Sequence, residues 1–315
     1  MTTQQRPLGS GLDRDSTAEQ ALGAADLTGK TVVVTGASSG LGTETARVLA
    51  QAGAKIIAAV RSPERAKVAL AGVTNVQIEQ LDLADPDSID AFVERVEATG
   101  TPVHILINNA GVMACPLERD ARGYEMQFAT NHLGHFQLTA GLWPALKRAN
   151  GARVVTLSSG AHRRSSVLFD DINFETTEYE KFKAYGQAKS ANALFSVGLD
   201  QRGQKDGVRA FAVHPGIIHD TNLFHFLSSE EMSQTAGALG GTKTIPQGAA
   251  TTVWAATSPM LEGHGGVYCE NGDIAEGVPA DKQTPGGVRP WAVDPALADR
   301  LWSVSEKMTG KSFLG

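Results

Sequence analysis

Tyr185 and Lys189 stand four residues apart in a stretch, Phe182 to Gln201, that predicts a helix, so both side chains share one face. A free phenol ionises at about pH 10, too high to give and take a proton near neutrality. A neighbouring ammonium favours the phenolate and lowers that value. Ser159 ends the predicted strand Ala152 to Ser159, and its hydroxyl can hold a carbonyl oxygen within reach of Tyr185. Asn131 sits in mid-pattern of a helical segment, where asparagine costs propensity and needs a reason. It kinks the helix and holds a water with a freed carbonyl, or it satisfies a buried neighbour. These residue types suit proton transfer to a polarised carbonyl. Tyr-x-x-x-Lys also recurs by chance on surface helices, so the pair gains meaning from its surroundings.

Those surroundings start at TVVVTGASSGLG, Thr31 to Gly42. A β-branched strand feeds a turn holding Gly36, Ser38, Ser39, Gly40, Leu41 and Gly42, and the helical stretch Thr43 to Ala52 follows. A buried strand, a glycine turn and a helix whose free N–H groups point back at it form a dinucleotide-binding unit. Gly36 serves the tight turn, Gly40 the approach of a pyrophosphate and Gly42 the packing of helix on strand. By itself the segment also reads as a ligand-free surface turn. A second strand, Lys55 to Val60, ends at Arg61-Ser62, where an acidic residue would bind free ribose hydroxyls. A cation and a hydroxyl suit a 2′-phosphate instead, although Arg61 also fits an ordinary surface position. The third strand, Val76 to Leu83, ends at Asp82-Leu83. Asp82 either accepts a bond from an adenine amino group or caps the helix after Pro86.

The helix Asp87 to Ala98 leads to the strand Val103 to Asn108, closed by Asn108, Asn109, Ala110 and Gly111. Paired asparagines can tie neighbouring strand ends together, and the small residues leave room for a ribose; a plain turn uses the same residues. Asp120 to Ala149 carries a long helical pattern, and 160–181 is polar and irregular. The sixth strand and its exit are GVRAFAVHPG, ending at Pro215-Gly216. Residues 217–245, with Ile218 and Thr221 near their start, lack periodicity and predict a mobile flap. The helix Pro246 to Thr257 and the short strand GGVYC follow.

This alternation predicts an α/β fold, a single doubly wound parallel sheet of the Rossmann type with helices on both faces. Right-handed crossovers then bring Gly36, Asn108, Ser159 and Pro215 to one edge. Residues 1–24 are polar and predict a flexible N-terminal extension; residues 25–315 form one domain with the flap and a C-terminal extension. A net charge of -6 without Lys/Arg clusters argues against nucleic acid or acidic membranes as partners. Cys115 and Cys269 are the only cysteines, without metal-ligand spacing, as expected of a reduced cytoplasmic protein. No run approaches the roughly 18 apolar residues of a membrane anchor. No His/Asp pair is arranged to activate Ser159 for acyl transfer, and neither H-E-x-x-H nor a cysteine cluster supplies a metal.

T-G-x-x-x-G-x-G at Thr35 to Gly42, N-N-A-G at Asn108 to Gly111 and Tyr185-x-x-x-Lys189 together resemble a short-chain dehydrogenase/reductase over roughly residues 27–275. Within it, S-S-G-A-H at Ser158 to His162 and H-P-G at His214 resemble the branch of retinol dehydrogenase, WW-domain oxidoreductase and protochlorophyllide reductase. The resemblance implies a carbonyl/alcohol reaction with Tyr185 as acid, Ser159 as polariser, Lys189 on the nicotinamide ribose and Asn131 holding a relay water. Arg61 then goes with NADP (NADPH), and NAD is the alternative cofactor, as in a secondary-alcohol or steroid-like dehydrogenase. The family's threonine after Pro-Gly arrives late, at Thr221, so contacts there stay open. A dinucleotide-binding protein without turnover is a rival class, but it would be expected to have lost one of the catalytic residues. The substrate is expected to be a small apolar carbonyl or alcohol. Met113, Phe224, Phe226, Leu227, Met232, Trp254 and Leu261 either line its pocket or form the core of the flap. The helices 120–149 and 182–201 could pair subunits in a homodimer or homotetramer, although monomers also occur.

Overall fold

Thr31–Thr35 (β1) is buried at every position, as a strand must be when helices cover both faces of its sheet. The computed structural model describes residues 5–228, 230–231 and 241–313. In it β1 belongs to an eight-stranded sheet of order β3-β2-β1-β4-β5-β6-β7-β8. The other strands are Lys55–Val60 (β2), Val76–Gln80 (β3), Ile105–Asn108 (β4), Ala152–Leu157 (β5), Val208–His214 (β6), Val267–Glu270 (β7) and Asp273–Ile274 (β8). Every pairing is parallel except β7 with β8. Winding runs outward one way through β2 and β3 and the other way from β4, so it reverses between β1 and β4. Ligands bind at such a switch point, beyond the strands' carboxyl ends.

The helices are Ala18–Leu22 (α1), Gly40–Gln51 (α2), Pro63–Ala69 (α3), Pro86–Ala98 (α4), Met126–Phe128 (α5), Gly134–Gly141 (α6), Trp143–Arg148 (α7), Lys181–Gly203 (α8), Ile245–Thr257 (α9) and Pro295–Thr309 (α10). Alternate strand residues feed two cores. Val32, Val34, Ile56 and Ala58 pack under α2 and α9, while Val33, Ile57, Leu106 and Val154 pack under α4, α6 and α8. No helix among the described residues is long and apolar enough to cross a membrane.

Several elements differ from expectation. The N-terminal segment is docked from residue 5 onward rather than loose. Gln5 bonds the main chain of Tyr268 and Ala275, and the Asp273 carboxylate accepts the N–H groups of Leu8, Gly9 and Ser10. Thr17 and Gln20 close a capping box on α1, which packs against α9. Residues scattered too far apart for periodicity make this anchor. The third strand stops at Gln80; Asp82 accepts the N–H of Ala84 in a turn, and Asp85 caps α4.

The long helix of 120–149 is instead a broken series. Asp120 holds a turn by accepting the N–H groups of Arg122 and Tyr124, and Glu125 caps α5. A π-helical turn, Ala129–Leu133, carries Asn131, and Pro144 restarts the chain in α7 after Leu142. The last strand gains a partner through Asn271-Gly272, both at positive φ, which join β7 to β8 as a two-residue hairpin. The C-terminal extension forms α10, capped by Asp294 and ended at Gly310. This helix lies on α8, with Ala298 and Leu301 against Ala191, Leu194 and Val197. One face of α8 is therefore covered from within the chain.

Candidate active site

The strand ends at the switch point build the floor of a cleft of about 490 Å³. β1 delivers the chain to Gly36, at φ +71°, and then into the first turn of α2. A Cβ on Gly42 would collide with the Gly36 carbonyl oxygen and lie 2.6 Å from Asn109 Nδ2, so only glycine lets helix and strand meet there. The asparagines tie the strand ends together as their types suggested. Asn109 Nδ2 donates to the Thr35 carbonyl at 2.8 Å, and Asn108 reaches Thr156 on β5 at 3.3 Å.

Gly36, Ser38, Ser39, Gly40, Leu41 and Gly42 all line the cleft beside the N-terminus of α2. Arg61, Ser62, Asp82 and Leu83 line one end; Asn109, Ala110 and Gly111 line its middle; Tyr185, Lys189, Pro215 and Thr221 line the rest. Thr221, although late in sequence, does arrive: its methyl carbon lies 3.1 Å from where a Cβ on Gly40 would stand. Gly216 and Ile218 do not line the cleft. Gly216, at φ +92°, abuts the Lys243 side chain, and Ile218 is buried beside Leu41 and Gly248. Both hold the root of the flap.

Sequence reading missed Ala59, Leu81, Val112, Thr130, Leu157 and Ser158 on the walls, and Asn222, Leu223 and His225 on the flap. Ala59 and Leu81 could have been found as strand-end neighbours of Arg61. The flap residues carry no such signal, because a 3₁₀ turn, Asn222–Phe224, positions them.

α8 brings the reacting groups together. Tyr185 is 5% exposed and clusters with Met113, Ala114, Ile217 and Phe224, with Phe182, Leu223 and Leu227 packed alongside. Burial pushes the Tyr185 phenol up, and a hydrogen bond with Ser159 partly offsets it. Lys189 Nζ donates to the Leu157 carbonyl at 2.9 Å and lies 5.5 Å from the centre of the Tyr185 ring. Burial lowers the Lys189 amine to about 7. Contrary to the expected lowering, the phenol is raised, because desolvation is the larger cause and the Ser159 hydrogen bond only partly offsets it.

Ser159 accepts the N–H of Ala161 at 3.1 Å, which leaves its hydroxyl proton to donate. Asn131 sits behind Gly111: its Oδ1 accepts the Val112 N–H at 2.8 Å, and its Nδ2 donates to the Val112 carbonyl at 2.9 Å. Its amide therefore satisfies the main chain of half-buried Val112, and the helix is broken by a π-turn at this point. Of the apolar candidates, Met113, Phe224 and Leu227 gather near Tyr185, whereas Trp254 and Leu261 belong to the core under α9. Phe226 is exposed, and Met232 lies outside the described residues.

A sheet wound this way, with a glycine cradle at one end of its cleft and a buried Tyr-Lys pair at the other, defines a dinucleotide-binding oxidoreductase fold. The chain belongs to the short-chain dehydrogenase/reductase family, whose "short chain dehydrogenase" profile matches residues 30–232. It is 44% identical to a "Probable oxidoreductase" of Streptomyces antibioticus over 88% of this chain and 96% of the relative. It is 40% identical to "Short-chain dehydrogenase TIC 32 B, chloroplastic" of Brassica napus over 95% of this chain and 94% of the relative. Human "Retinol dehydrogenase 12" is 38% identical over 90% of this chain and 87% of its own. A crystal structure of an uncharacterised protein from Mycobacterium paratuberculosis superposes with a TM-score of 0.74 at 34% identity, covering 93% of this chain and 98% of that one. Membership supports oxidoreductase activity in general.

Proposed function

We propose that the protein is an NADP(H)-dependent oxidoreductase that interconverts an aldehyde or ketone with its alcohol, with Tyr185 as the general acid and base. The observation that carries this reading is the layout of one cleft. Tyr185 and Lys189 line the same cleft as the glycine cradle and Arg61, Ser62 and Arg65, and Ser159 hydrogen-bonds the Tyr185 phenol. The cradle fits a pyrophosphate: the Gly36–Gly42 turn keeps side-chain bulk away from the N-terminus of α2, where free N–H groups favour an anion. A bound nicotinamide dinucleotide supplies the hydride to the carbonyl carbon, or takes it up in the reverse direction. The chain's own residues do the rest. Ser159 and Tyr185 hold the substrate oxygen, and Tyr185 gives it the proton as the carbonyl becomes an alcohol.

A phenol held up by burial is protonated at neutral pH, the form that carbonyl reduction needs. Asn131 and Lys189 both lie beside Gly111, where a Cβ would lie 2.9 Å from Asn131 Oδ1 and 3.6 Å from Lys189 Nζ. Arg61 and Arg65 are exposed and suit a 2′-phosphate, which favours NADP over NAD. The apolar cluster around Tyr185 favours an apolar substrate. The likeness to human retinol dehydrogenase 12 supports the retinol-dehydrogenase-like branch, and two buried free cysteines support a reducing, cytoplasmic setting.

The test is a panel of aldehydes, ketones and alcohols with NADPH or NADP, read at the nicotinamide absorbance. The best substrate is then offered to Tyr185→Phe. Turnover should drop by at least about 10²-fold with NADPH binding intact. Near-native turnover in Tyr185→Phe would sink the assignment, and NADPH binding without turnover on any substrate would favour a non-catalytic binding protein.

A further inference from the structure

We propose that His135 is a positioning residue of the reaction centre, a neutral imidazole that locks Asn131 to the floor of the cleft through Thr35. The proposal rests on the oxidoreductase reading above.

His135 is 1% exposed and stands one turn beyond Asn131. Its Nδ1 lies 2.9 Å from the Asn131 carbonyl oxygen. A carbonyl only accepts, so Nδ1 carries the proton. Its Nε2 lies 2.9 Å from the Thr35 hydroxyl. That hydroxyl accepts two N–H groups, from Asn109 at 2.9 Å and from Ala110 at 3.0 Å, so both lone pairs are used. Its one proton must then be donated, and His135 Nε2 is nearer than the alternative, the Ile107 carbonyl at 3.3 Å. Nε2 therefore accepts. Both ring nitrogens have fixed and opposite roles, which only the neutral Nδ1–H tautomer fulfils. A protonated ring would aim a second N–H at a hydroxyl with no acceptor capacity left, and the buried Lys189 amine opposes a second charge there as well.

The bonds run Asn109 and Ala110 to Thr35, Thr35 to His135, and His135 to Asn131, and Asn131 continues to Val112. One end is Asn109 and Ala110 on the cleft wall, and the other is Val112 on the same wall, with Asn131 Oδ1 beside Gly111. Asn131 lies in the π-turn Ala129–Leu133, a single-turn bulge of a rare type, and these side bonds tie that turn to the strand ends. Loss of the link should shift Asn131 and the Gly111-Val112 segment that it holds by a fraction of an ångström, enough to misplace the cleft wall beside Lys189 for proton transfer.

His135→Leu removes both bonds, whereas His135→Asn keeps an N–H donor near the former Nδ1. Thermal melting, NADPH affinity, kcat, KM and the pH dependence of kcat are compared with the unmodified enzyme. His135→Leu is expected to lower kcat about ten- to a hundredfold with KM within about threefold, and to displace the pH profile. His135→Asn is expected to recover most of that loss. Imidazole ¹⁵N spectra of the unmodified full chain form a second arm that needs no variant to fold: the resonance assigned to His135 should report the Nδ1–H tautomer. Unchanged kcat and pH profile in a folded His135→Leu, no recovery in His135→Asn, or an Nε2–H or protonated ring would each overturn the proposal. An unmodified protein that turns over no carbonyl or alcohol would instead remove the oxidoreductase reading, and this inference with it.

Discussion

Burial moves Tyr185 and Lys189 in opposite directions, the phenol up and the amine down to about 7, because each loses water around its charged form. The phenol is thereby kept protonated near neutrality, while the amine changes charge close to pH 7. Arg61 is the contrasting case. It is exposed, so its value to a 2′-phosphate comes from a forked set of donors at the rim and is weakened by salt. Fluorescence titrations at low salt should show NADPH binding about ten- to a hundredfold tighter than NADH, the range of one charge-assisted hydrogen bond. Arg61→Ala should erase most of that ratio while leaving NADH affinity in place. An unchanged ratio would move the 2′-phosphate contact elsewhere and favour the NAD reading.

α8 is the element on which the centre depends, and α10 keeps it in place. Trp302 on α10 stacks on Phe195 with ring centres 6.0 Å apart and meets Phe136 edge-on at 5.1 Å. Phe313 closes over Trp302 at 4.5 Å, and Arg202 lies over its ring at 4.4 Å. His132, from the π-turn, bonds Ser305 of α10 at 2.7 Å, so the same helix also braces the segment that carries Asn131. Trp302→Ala should cost about 3–5 kcal/mol in urea unfolding, the range for emptying a buried aromatic site. Light scattering on the same variant should show self-association, because apolar surface on α8 becomes reachable. A loss below about 1 kcal/mol would show that the site refills by collapse.

The whole molecule carries an acid liability in its histidines. His132, His135 and His162 are buried and held at about 3, 4 and 4, with desolvation the first cause in each. Their unfolded value is about 6.5, so between that and the lowered values the unfolded chain binds more protons. Stability therefore falls as pH drops through this window and is retained above it. Each histidine contributes about 1.4 kcal/mol per pH unit once well inside the window. Three together should outrun the marginal stability of a domain before pH 3, at about pH 4 to 5. Urea melts at stepwise lower pH should show the loss beginning near pH 6.5, and His162→Gln should flatten the slope. A stability level from pH 7 to 4 would mean that these rings are protonated in the folded state.

Local pattern was enough for the nucleotide-binding half of the chain. β1, the turn Gly36–Gly42 and the ends of β2 and β4 are specified by β-branched runs and glycine spacing within a few residues, and most of the turn lines the cleft with Arg61 and Asn109 from beyond the strand ends. Some missed elements had signals too: Asn271-Gly272 marks a hairpin, and Asp294-Pro295 with Ala298, Leu301 and Trp302 marks a capped amphipathic helix. Other features had none. The N-terminal anchor depends on Gln5 meeting Tyr268 and Ala275, and on Asp273 meeting residues 8–10, across most of the chain, and no periodicity encodes such meetings. The break at Ala129–Leu133 is invisible to an apolar pattern that runs straight through it, because its cause is Asn131 bonding Val112 and His135 bonding Thr35. The direction of the Tyr185 shift also belongs to the folded chain. Sequence spacing brings a lysine to the phenol, but only packing decides how much water each group loses, and here that loss raises the phenol and lowers the amine.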